Sequence, residues 1–534
     1  MGSKKRKAAE EVVANGARKL DDEEAEEVEV DNEAVIEASA VLSSFNSHFG
    51  YSMSKTEAES LEQLSRKERR YGWPLPAFGK STLKWVGTEE WPLEKRISSD
   101  KVLPKILIPV SLEASEDFSA TRGIKSKLLK HWLDIMKTSE ASDFDSSGHG
   151  SFLSLCNTYQ NILHQNKKPF YVKGSHEDSS IMDAYIMHSL NHVLKTRDVI
   201  TKNDAKLAKH QGSATEDILS NERYLDHSFT RPKVLILLPL ASIAFRVIRR
   251  LIQLTPPNQK VNVEHMDRFS NEFGAGIVEE EEEKTSSLQK CNDSNSKSSK
   301  PSDFRALFDG NNNDHFMMGI KFTRKSIRLY SDFYSSDMII ASPLGLITKI
   351  GEAEDDKEKD VDYLSSIEIL VIDHADVMAM QNWSHVKSVV EKMNQMPTKQ
   401  HGTDVMRIKQ WYLDGLSKYY RQTIVLGFYL TPDMNALFNH QCFSYQGKVK
   451  LDCEYKGVLH KILLQVRQIY ERFDAESILV VDDARFKYFT DKVFPKIRDT
   501  VQGGIMIFMS SYLEFVRIRN FLKSQDASFC LLGE

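Results

Sequence analysis

The sequence has few cysteines and no long hydrophobic run, and both absences exclude classes of protein. Its 534 residues include five cysteines, and none of them forms a CxxC pair. This argues against a structural zinc site and a disulfide framework, and it fits a reducing compartment. The longest apolar run, residues 234–245, is interrupted by Pro239 and Ser242. Because a spanning helix needs about 18 or more apolar residues, we predict no transmembrane segment and no membrane partner.

The overall charge does not indicate a nucleic-acid partner. The chain carries 76 acidic and 71 basic residues, which gives a formal net charge of −5. A near-neutral total can still conceal patches of one sign. With 41% hydrophobic and 28% charged residues the chain is slightly polar for a fully globular protein. We therefore predict that part of its length is disordered.

Runs of like charge mark the beginning of the chain. A basic cluster comprises Lys4, Lys5, Arg6 and Lys7. Such a cluster is typical of a nuclear-import signal or a phosphate contact, and a solvated charge run is the alternative. Eight acidic residues and no basic residue follow between positions 21 and 31. Because blocks of like charge repel and stay unfolded, we predict a disordered arm over residues 1–65.

The next segment contains a sequence that resembles the end of a phosphate-binding loop but lacks the first glycine of that motif. Residues 79–82 read Gly-Lys-Ser-Thr, but the glycine required five positions earlier is replaced by Pro74. The prolines at 74 and 76 also exclude a central strand. We predict that residues 66–149 are an extended and helical segment with aromatic anchors.

From 150 to 454 apolar strands alternate with helical stretches, which predicts an α/β domain with a parallel sheet and helices on both faces. The predicted strands are 234–238, 338–341, 369–373 and 424–426, and the clearest predicted helix is 181–194. The polar tracts near 202–230 and 279–303 are predicted to be disordered inserts.

Function in such sheets is expected at the carboxyl ends of the strands. The helix after strand 234–238 carries a basic stripe formed by Arg246, Arg249 and Arg250. Cations on one helix face are suited to the phosphates of RNA, although a solvated helix face is the alternative. After strand 338–341, Ser342 offers a hydroxyl, and Gly345 is a position that another backbone can approach closely.

A second basic cluster comprises Lys321, Arg324, Lys325 and Arg328. It lies beside Phe322 and Tyr330, and aromatic rings next to cations can stack on unpaired bases. The alternative interpretation is a pair of core aromatic residues with exposed basic side chains around them.

The order of the strand ends resembles the first RecA-like domain of DEAD-box RNA helicases. Residues 238–241, Leu-Pro-Leu-Ala, stand where those enzymes have a proline turn that contacts the RNA backbone. Residues 341–346, Ala-Ser-Pro-Leu-Gly-Leu, stand where those enzymes have Ala-Thr-Pro-Gly-Arg, and residues 426–428, Leu-Gly-Phe, stand at the Ser-Ala-Thr coupling motif. The resemblance makes Ser342 and Gly345 candidates for a hydroxyl contact and a close backbone approach to RNA. The DEAD box itself corresponds to Asp373, His374, Ala375 and Asp376.

Departures from that pattern predict a protein that does not hydrolyse ATP. His374 replaces the glutamate that helps to activate water. The phosphate-loop position contains Lys173, Gly174 and Ser175, but it lacks the second glycine and the Lys-Ser/Thr pair that binds phosphate and Mg²⁺. We therefore predict no catalytic residue, no cofactor and no metal. His374 is interpreted as a structural residue, and Asp373 and Asp376 are expected to cap the following helix.

Longer strings of residues resemble a more specific family, the digestive-organ-expansion-factor family. They include 231–236, 326–337, 380–383, 417–423, 483–486 and 511–517. This family is the helicase-like U3 small-nucleolar-RNA-associated component of the small-subunit processome. The resemblance covers residues 120–534 and implies a protein of the nucleus and nucleolus that acts in early 18S rRNA maturation. The implied partners are pre-rRNA, the U3 small nucleolar RNA particle and processome proteins, with no unwinding activity and no small-molecule substrate.

The last 80 residues resemble part of a second RecA-like domain. Strands are predicted at 505–508 and 529–532, with a helix at 515–522. Since no arginine motif of the usual type follows, we predict an incomplete domain over 455–534 in a C-terminally truncated chain. Such a domain is expected to expose a sheet edge and apolar surface.

Two other functions remain open from the sequence. The chain could be an RNA-dependent ATPase with a non-standard nucleotide site, although the absent Lys-Ser/Thr pair argues against it. It could also be a protein-only assembly adaptor without RNA contact, although the arginine stripe argues against that.

Overall fold

The computed structural model describes most of the chain from residue 44 onward. The described residues are 44–64, 69–74, 81–87, 123–138, 148–165, 176–210, 224–274, 307–308, 310–355, 360–453, 469–498, 504–509 and 511–531. The Lys4–Lys7 cluster, the phosphate-loop position at Lys173, Gly174 and Ser175, and the insert 279–303 lie outside them. The chain forms two compact units, residues 1–454 and 455–534.

The described residues of the first unit form one sheet of eleven strands. The strands are β1 Arg69–Pro74, β2 Ser81–Gly87, β3 Asn161–His164, β4 Val234–Leu237, β5 Asn262–Glu264, β6 Met317–Phe322, β7 Ser326–Leu329, β8 Met338–Ala341, β9 Ile369–Ile372, β10 Gln422–Leu426 and β11 Lys448–Cys453. Their spatial order is β1-β2-β11-β3-β10-β9-β4-β8-β6-β7-β5. The middle six, from β11 to β8, are mutually parallel.

The four predicted strands are confirmed as β4, β8, β9 and β10. Every residue of these strands is buried. This agrees with their continuous apolar sequences, because a parallel strand covered on both faces does not alternate with polar residues.

Sixteen α-helices occur among the described residues. They are α1 Ser44–Phe49, α2 Lys55–Leu64, α3 Ser126–Thr138, α4 Gly148–Cys156, α5 His176–His210, α6 Ala241–Leu254, α7 Met266–Phe273, α8 Pro343–Asp355, α9 Ala375–Gln381, α10 Trp383–Lys392, α11 Gln410–Leu413, α12 Ser417–Tyr420, α13 Pro432–His440, α14 Val481–Tyr488, α15 Phe494–Arg498 and α16 Tyr512–Ser524. Within the described part of the chain, no helix is long and apolar enough to cross a membrane.

Helices cover both faces of the sheet. Val234 and Ile236 of β4 pack on one side against the core formed by α3 to α7. Leu235 and Leu237 point the opposite way, into the core formed by α8, α9, α10 and α13. The alternation follows from the period of two along a strand, and it confirms the predicted doubly wound α/β fold.

The prediction of a disordered arm over residues 1–65 is wrong for its last part. Residues 44–58, which we call the docking segment, pack onto the rest of the first unit. Phe45 is 2% exposed and Met53 is 5% exposed. The ring of His48 stacks on Tyr159 with 4.0 Å between centroids. The Met53 amide donates to the Tyr420 hydroxyl at 2.7 Å. The like charges of the arm indicate disorder, but the aromatic residues that follow them supply the contacts that order this part of the chain.

The predicted disordered insert at 202–230 also needs correction. Helix α5 continues to His210, and residues 226, 228, 229 and 230 are buried. Asp226 accepts from Asn203 at 2.7 Å and from Arg407 at 2.8 Å. A polar sequence is ordered here because its charges find partners that are distant along the chain.

The predicted extended segment at 66–149 supplies two strands. β1 and β2 pair antiparallel, and β2 pairs with β11, so they extend the sheet on that side. Pro74 is the last residue of β1, the outermost strand, and edge strands are where a proline is tolerated in a sheet.

In the second unit the described residues form helices and no strand. The predicted helix 515–522 lies within α16, but residues 505–508 and the described part of 529–532 are not strands. The physical reason is that none of the described residues of this unit lies beside them as a pairing strand. The expected apolar exposure is present, with Met506 78% and Phe508 85% exposed.

Candidate nucleic-acid and nucleotide-related site

The candidate site lies at the carboxyl edge of the parallel strands. β4, β8, β9 and β10 run in one direction, so the turns that follow them meet at the same edge. These turns contain residues 239–240, 342, 373–374 and 427–431. The structure therefore brings together the four segments that resemble helicase motifs.

Asp373, the counterpart of the metal-binding DEAD-box aspartate, is sequestered inside the protein. Its side chain is 1% exposed. The Tyr185 hydroxyl of α5 donates to one carboxylate oxygen at 3.0 Å, and the His374 amide donates to the other at 2.7 Å. Mg²⁺ usually keeps several of its waters when it binds carboxylates. A dry carboxylate that already accepts two hydrogen bonds is not presented to a hydrated cation.

His374 occupies the glutamate position and adopts a left-handed backbone conformation. Its φ is 58° and ψ 43° at the start of α9, a conformation uncommon for a residue with a Cβ. Its Nδ1 lies 3.2 Å from Asp373 Oδ1, and its side chain is 8% exposed. The ring therefore packs beside Asp373, in agreement with the predicted structural role.

The expected capping of α9 by Asp373 and Asp376 is not observed. The N-cap residue His374 makes no side-chain capping bond. Asp376 instead accepts a hydrogen bond from the amide of Phe428 at 3.1 Å. A Cβ at position 427 would lie 3.2 Å from the same carboxylate, so Gly427 permits this close approach. The contact joins the end of β10 to the start of α9.

Ser342 and Gly345 are buried, which corrects their prediction as direct RNA contacts. The Ser342 hydroxyl accepts from the amides of Phe316 and Gly345, at 3.2 and 3.0 Å. A Cβ on Gly345 would lie 2.6 Å from the Phe316 carbonyl oxygen. Both residues therefore serve the packing of the α8 N-terminus against the chain before β6.

The arginine stripe on α6 is divided between a structural and an exposed part. Arg250 donates to both oxygens of Asp183 on α5, at 2.7 and 2.5 Å, and the Asp183 side chain is 1% exposed. This corrects the interpretation of Arg250 as an RNA contact, because its guanidinium neutralises a buried carboxylate. Arg246 and Arg249 remain exposed.

The second basic cluster lies mainly at the other edge of the sheet. β6 is antiparallel to β8, so the turn that contains Arg324 and Lys325 lies at the amino edge of the parallel strands. Arg328 donates to Glu264 at 2.9 Å, and Phe322 is 1% exposed in the core. The turn with Arg324 and Lys325 therefore lies at the opposite edge of the sheet from the segments that resemble helicase motifs.

A buried network of charged groups at the amino edge was not found from the sequence. Glu368, just before β9, accepts from Tyr412 at 2.8 Å and pairs with His192 of α5 at 2.9 Å. Lys233 Nζ lies 3.5 Å from the same carboxylate. Burial alone would raise the pKa of Glu368, but Lys233, Lys409 and His192 hold it well below its usual value. Burial lowers the pKa of Lys409 to about 8 despite Glu368.

The only sequence signal for this network is that Lys233 and Glu368 immediately precede apolar strands. Their partners lie on helices far away in sequence, so no spacing rule indicates them. The groups are buried and mutually compensated, and we assign the network to the architecture of the unit.

Three potential metal ligands also come together, at Asp360, Asp362 and His401. One Asp362 oxygen accepts from the Thr398 amide at 2.7 Å, the Thr398 hydroxyl at 2.9 Å, the Lys399 amide at 3.0 Å and His401 at 3.0 Å. These donors fix the loop 398–401 and occupy one of the two carboxylate oxygens of Asp362.

The first unit is thus a RecA-type, NTP-hydrolase-like α/β domain. Comparison with protein families is more specific. Residues 159–449 match the family domain described as "UTP25, NTP hydrolase-like domain", and residues 458–534 match "Utp25, C-terminal domain". The chain belongs to the Utp25 family, which confirms the family predicted from its residue strings.

Curated relatives agree with this assignment. The chain is 56% identical to Protein NUCLEOLAR FACTOR 1 of Arabidopsis thaliana, over 96% of this chain and 65% of that protein. It is 36% identical to U3 small nucleolar RNA-associated protein 25 of Pyricularia oryzae, over 92% of this chain and 62% of that protein. It is 35% identical to the U3 small nucleolar RNA-associated protein 25 homolog of Xenopus tropicalis, over 83% of this chain and 55% of that protein. The chain therefore spans just over half to two thirds of the length of these relatives.

Solved structures that are similar to this chain include DEAD-box proteins. The yeast splicing factor Prp28 has a TM-score of 0.31 and 12% identity, covering 82% of this chain and 69% of that one. A DEAD box protein of Methanococcus jannaschii has a TM-score of 0.24 and 11% identity, covering 70% of each. With such low scores, the fold assignment depends on the strand order and the family match.

Proposed function

We propose that this chain is a non-catalytic, helicase-like scaffold of the small-subunit processome. It acts in the nucleolus, in 18S rRNA maturation and ribosome biogenesis. Its partners are pre-rRNA, the U3 small nucleolar RNA particle and processome proteins. The names of its relatives, NUCLEOLAR FACTOR 1 and U3 small nucleolar RNA-associated protein 25, support the location and the particle.

The observation that supports the absence of catalysis is the position of Asp373. In a phosphoryl-transfer site the metal-binding aspartate must reach an ion that bridges phosphate oxygens. Here its carboxylate is held by Tyr185 and by the His374 amide inside the core. The sequence also lacks the Lys-Ser/Thr pair, so a second and independent requirement, binding of the phosphates and Mg²⁺ by the phosphate loop, is not met.

Calorimetric titration of Mg-ATP into the full chain, with and without single-stranded RNA, tests this part of the proposal. We expect no heat of binding at millimolar nucleotide while RNA binding is intact. Micromolar nucleotide binding would instead support the RNA-dependent ATPase. A matched titration of ATP without Mg²⁺ would show whether such binding involves the metal.

The RNA contact is proposed for the exposed part of the α6 stripe, Arg246 and Arg249. The logarithm of the RNA-binding constant falls linearly with the logarithm of the salt concentration. Removing one cation that neutralises a phosphate is expected to reduce the magnitude of this slope by about one. We therefore expect the double variant Arg246→Gln/Arg249→Gln to bind single-stranded RNA several-fold more weakly, with a smaller salt slope. The control is Lys387→Gln on α10, an exposed cation on the opposite face of the sheet.

The protein-only adaptor predicts a different result. In that case neither variant changes RNA binding, and no RNA crosslinks to α6 in the assembled particle. Crosslinking followed by mass spectrometry of the α6 peptides separates the two functions.

A further inference from the structure

A small groove lies on the α8–α10 face, next to the carboxyl edge of the sheet. Its volume is about 240 Å³. Pro343 and Leu344 at the start of α8 and Met378 of α9 supply apolar surface, and Gln381, Asn382, His385 and Asp314 supply polar atoms. Gln381 and Asn382 belong to the 380–383 string that marks the family, and the scaffold function does not explain that string.

The polar side of the groove presents acceptors and a negative charge. Asp314 has no hydrogen bond or ion pair with any of the described residues. The Gln381 amide nitrogen donates to the Pro239 carbonyl at 3.3 Å, which leaves its side-chain oxygen as an acceptor. The Asn382 amide nitrogen and His385 Nε2 are 3.0 Å apart and satisfy each other. Among the described residues that line the groove, none is a lysine or an arginine.

Size and charge restrict what fits. Sites for cofactors and other small ligands usually measure roughly 300–1,000 Å³, so this groove suits a single side chain better. RNA would bring phosphates close to Asp314 with no lining cation to compensate them. An aliphatic stem that ends in a cation matches both the apolar surface and the carboxylate.

We propose that the groove binds an arginine side chain presented by a polypeptide partner. The stem packs on Leu344, beside the buried Pro343 and Met378, and the guanidinium donates to the Asp314 carboxylate and the Gln381 oxygen. Arginine is preferred to lysine because its planar fork makes bidentate contacts and is less strongly hydrated. This interaction is independent of the proposed RNA contact on α6, which lies on the other face of the sheet.

Methyl NMR of the full chain labelled with ¹³C-methyl methionine tests the proposal. Met378 is 1% exposed beside the groove and reports its occupancy, and the Met378→Leu variant identifies its signal. The probes are capped Gly/Ser decapeptides with one central arginine, lysine or citrulline. We expect the arginine peptide to shift the Met378 signal, and the neutral, isosteric citrulline peptide to bind at least tenfold more weakly.

Variants separate recognition of charge from loss of structure. Asp314→Asn keeps the shape of the side chain and is expected to abolish the difference between arginine and citrulline peptides. Asp267→Asn, which changes an exposed aspartate in the first turn of α7, is the matched control and is expected to leave binding unchanged. An unshifted Met378 signal in each free variant shows that the groove is intact.

Three outcomes would overturn the proposal. The first is equal binding of the arginine and citrulline peptides, and the second is no shift of the Met378 signal with any peptide at millimolar concentration. The third is a Met378 shift caused by a single-stranded RNA oligonucleotide and not by the arginine peptide, which would assign the groove to RNA.

Discussion

The hydroxyl of Tyr185 donates a 3.0 Å hydrogen bond to the carboxylate of Asp373, and both residues are fully buried. Helix α5 begins just after the phosphate-loop position, and β9 ends at the DEAD-box position. The bond therefore connects the two elements that would hold nucleotide and metal in a related ATPase. It converts a metal-binding position into an internal structural contact.

Removing this hydroxyl should destabilise the protein without creating a nucleotide site. Tyr185→Phe leaves Asp373 buried with one donor fewer, which costs about 1–3 kcal/mol in the free energy of unfolding. The control is Tyr363→Phe, because the buried Tyr363 hydroxyl has no hydrogen-bond partner among the described residues. Urea unfolding followed by fluorescence compares the two. Equal stability of both variants would show that the Tyr185–Asp373 bond contributes nothing.

The ion pair between α5 and α6 gives a second prediction. Arg250→Gln leaves the buried Asp183 without its cation, and breaking such a pair costs about 3–5 kcal/mol. Arg249→Gln on the same helix is expected to change the free energy of unfolding by less than about 0.5 kcal/mol, because Arg249 is exposed. If the two variants were equally stable, Arg250 would be available for another contact, and its structural assignment would be incorrect.

The docking segment should be necessary for the stability of the first unit. Phe45→Ala removes a fully buried ring, and such a truncation costs about 3–5 kcal/mol. Met406→Ala is a control, since Met406 is 62% exposed. Hydrogen exchange at residues 44–50 measures the effect locally. Rapid exchange of these amides in the unmodified protein would contradict the docked position.

Stability is expected to decrease in mild acid because of the buried histidines. Burial, with His192 nearby, lowers the pKa of His188 to about 3, and burial lowers the pKa of His48 as well. Below pH 6.5 the unfolded chain therefore binds more protons than the folded protein. For His188 alone the free energy of unfolding falls by about 1.4 kcal/mol per pH unit between pH 6.5 and 3.

Urea unfolding at pH 7.0, 6.0 and 5.0 measures this slope. The His188→Gln variant should be less stable at pH 7 because the imidazole hydrogen bonds to Asn157 and Gln422 are removed. The pH dependence of its free energy of unfolding should nevertheless be smaller, because about one proton fewer is taken up on unfolding. His385→Gln, a change at a partly exposed histidine of α10, should retain the slope of the unmodified protein. A slope that is unaltered in His188→Gln would contradict the assignment.

The strands and the family could be predicted from the sequence because they depend on local pattern. Val234–Leu237, Met338–Ala341 and Ile369–Ile372 are apolar runs of strand length, and burial on both faces requires such runs. The motif-like segments follow these strands directly, so parallel topology alone places them at one edge. The degeneracy of the DEAD box is likewise a matter of residue identity at Asp373 and His374.

Only the tertiary structure decided which polar groups remain available. Arg249 and Arg250 are equivalent in the helical pattern of the sequence. In the structure only Arg250 pairs with Asp183, which lies 67 residues earlier in the chain. Ser342 follows its strand as predicted, yet the chain before β6 covers it. The docking segment and the Glu368 network depend in the same way on partners that are distant in sequence. Local periodicity determines elements and their faces, whereas burial and pairing of charges depend on contacts that no local pattern contains.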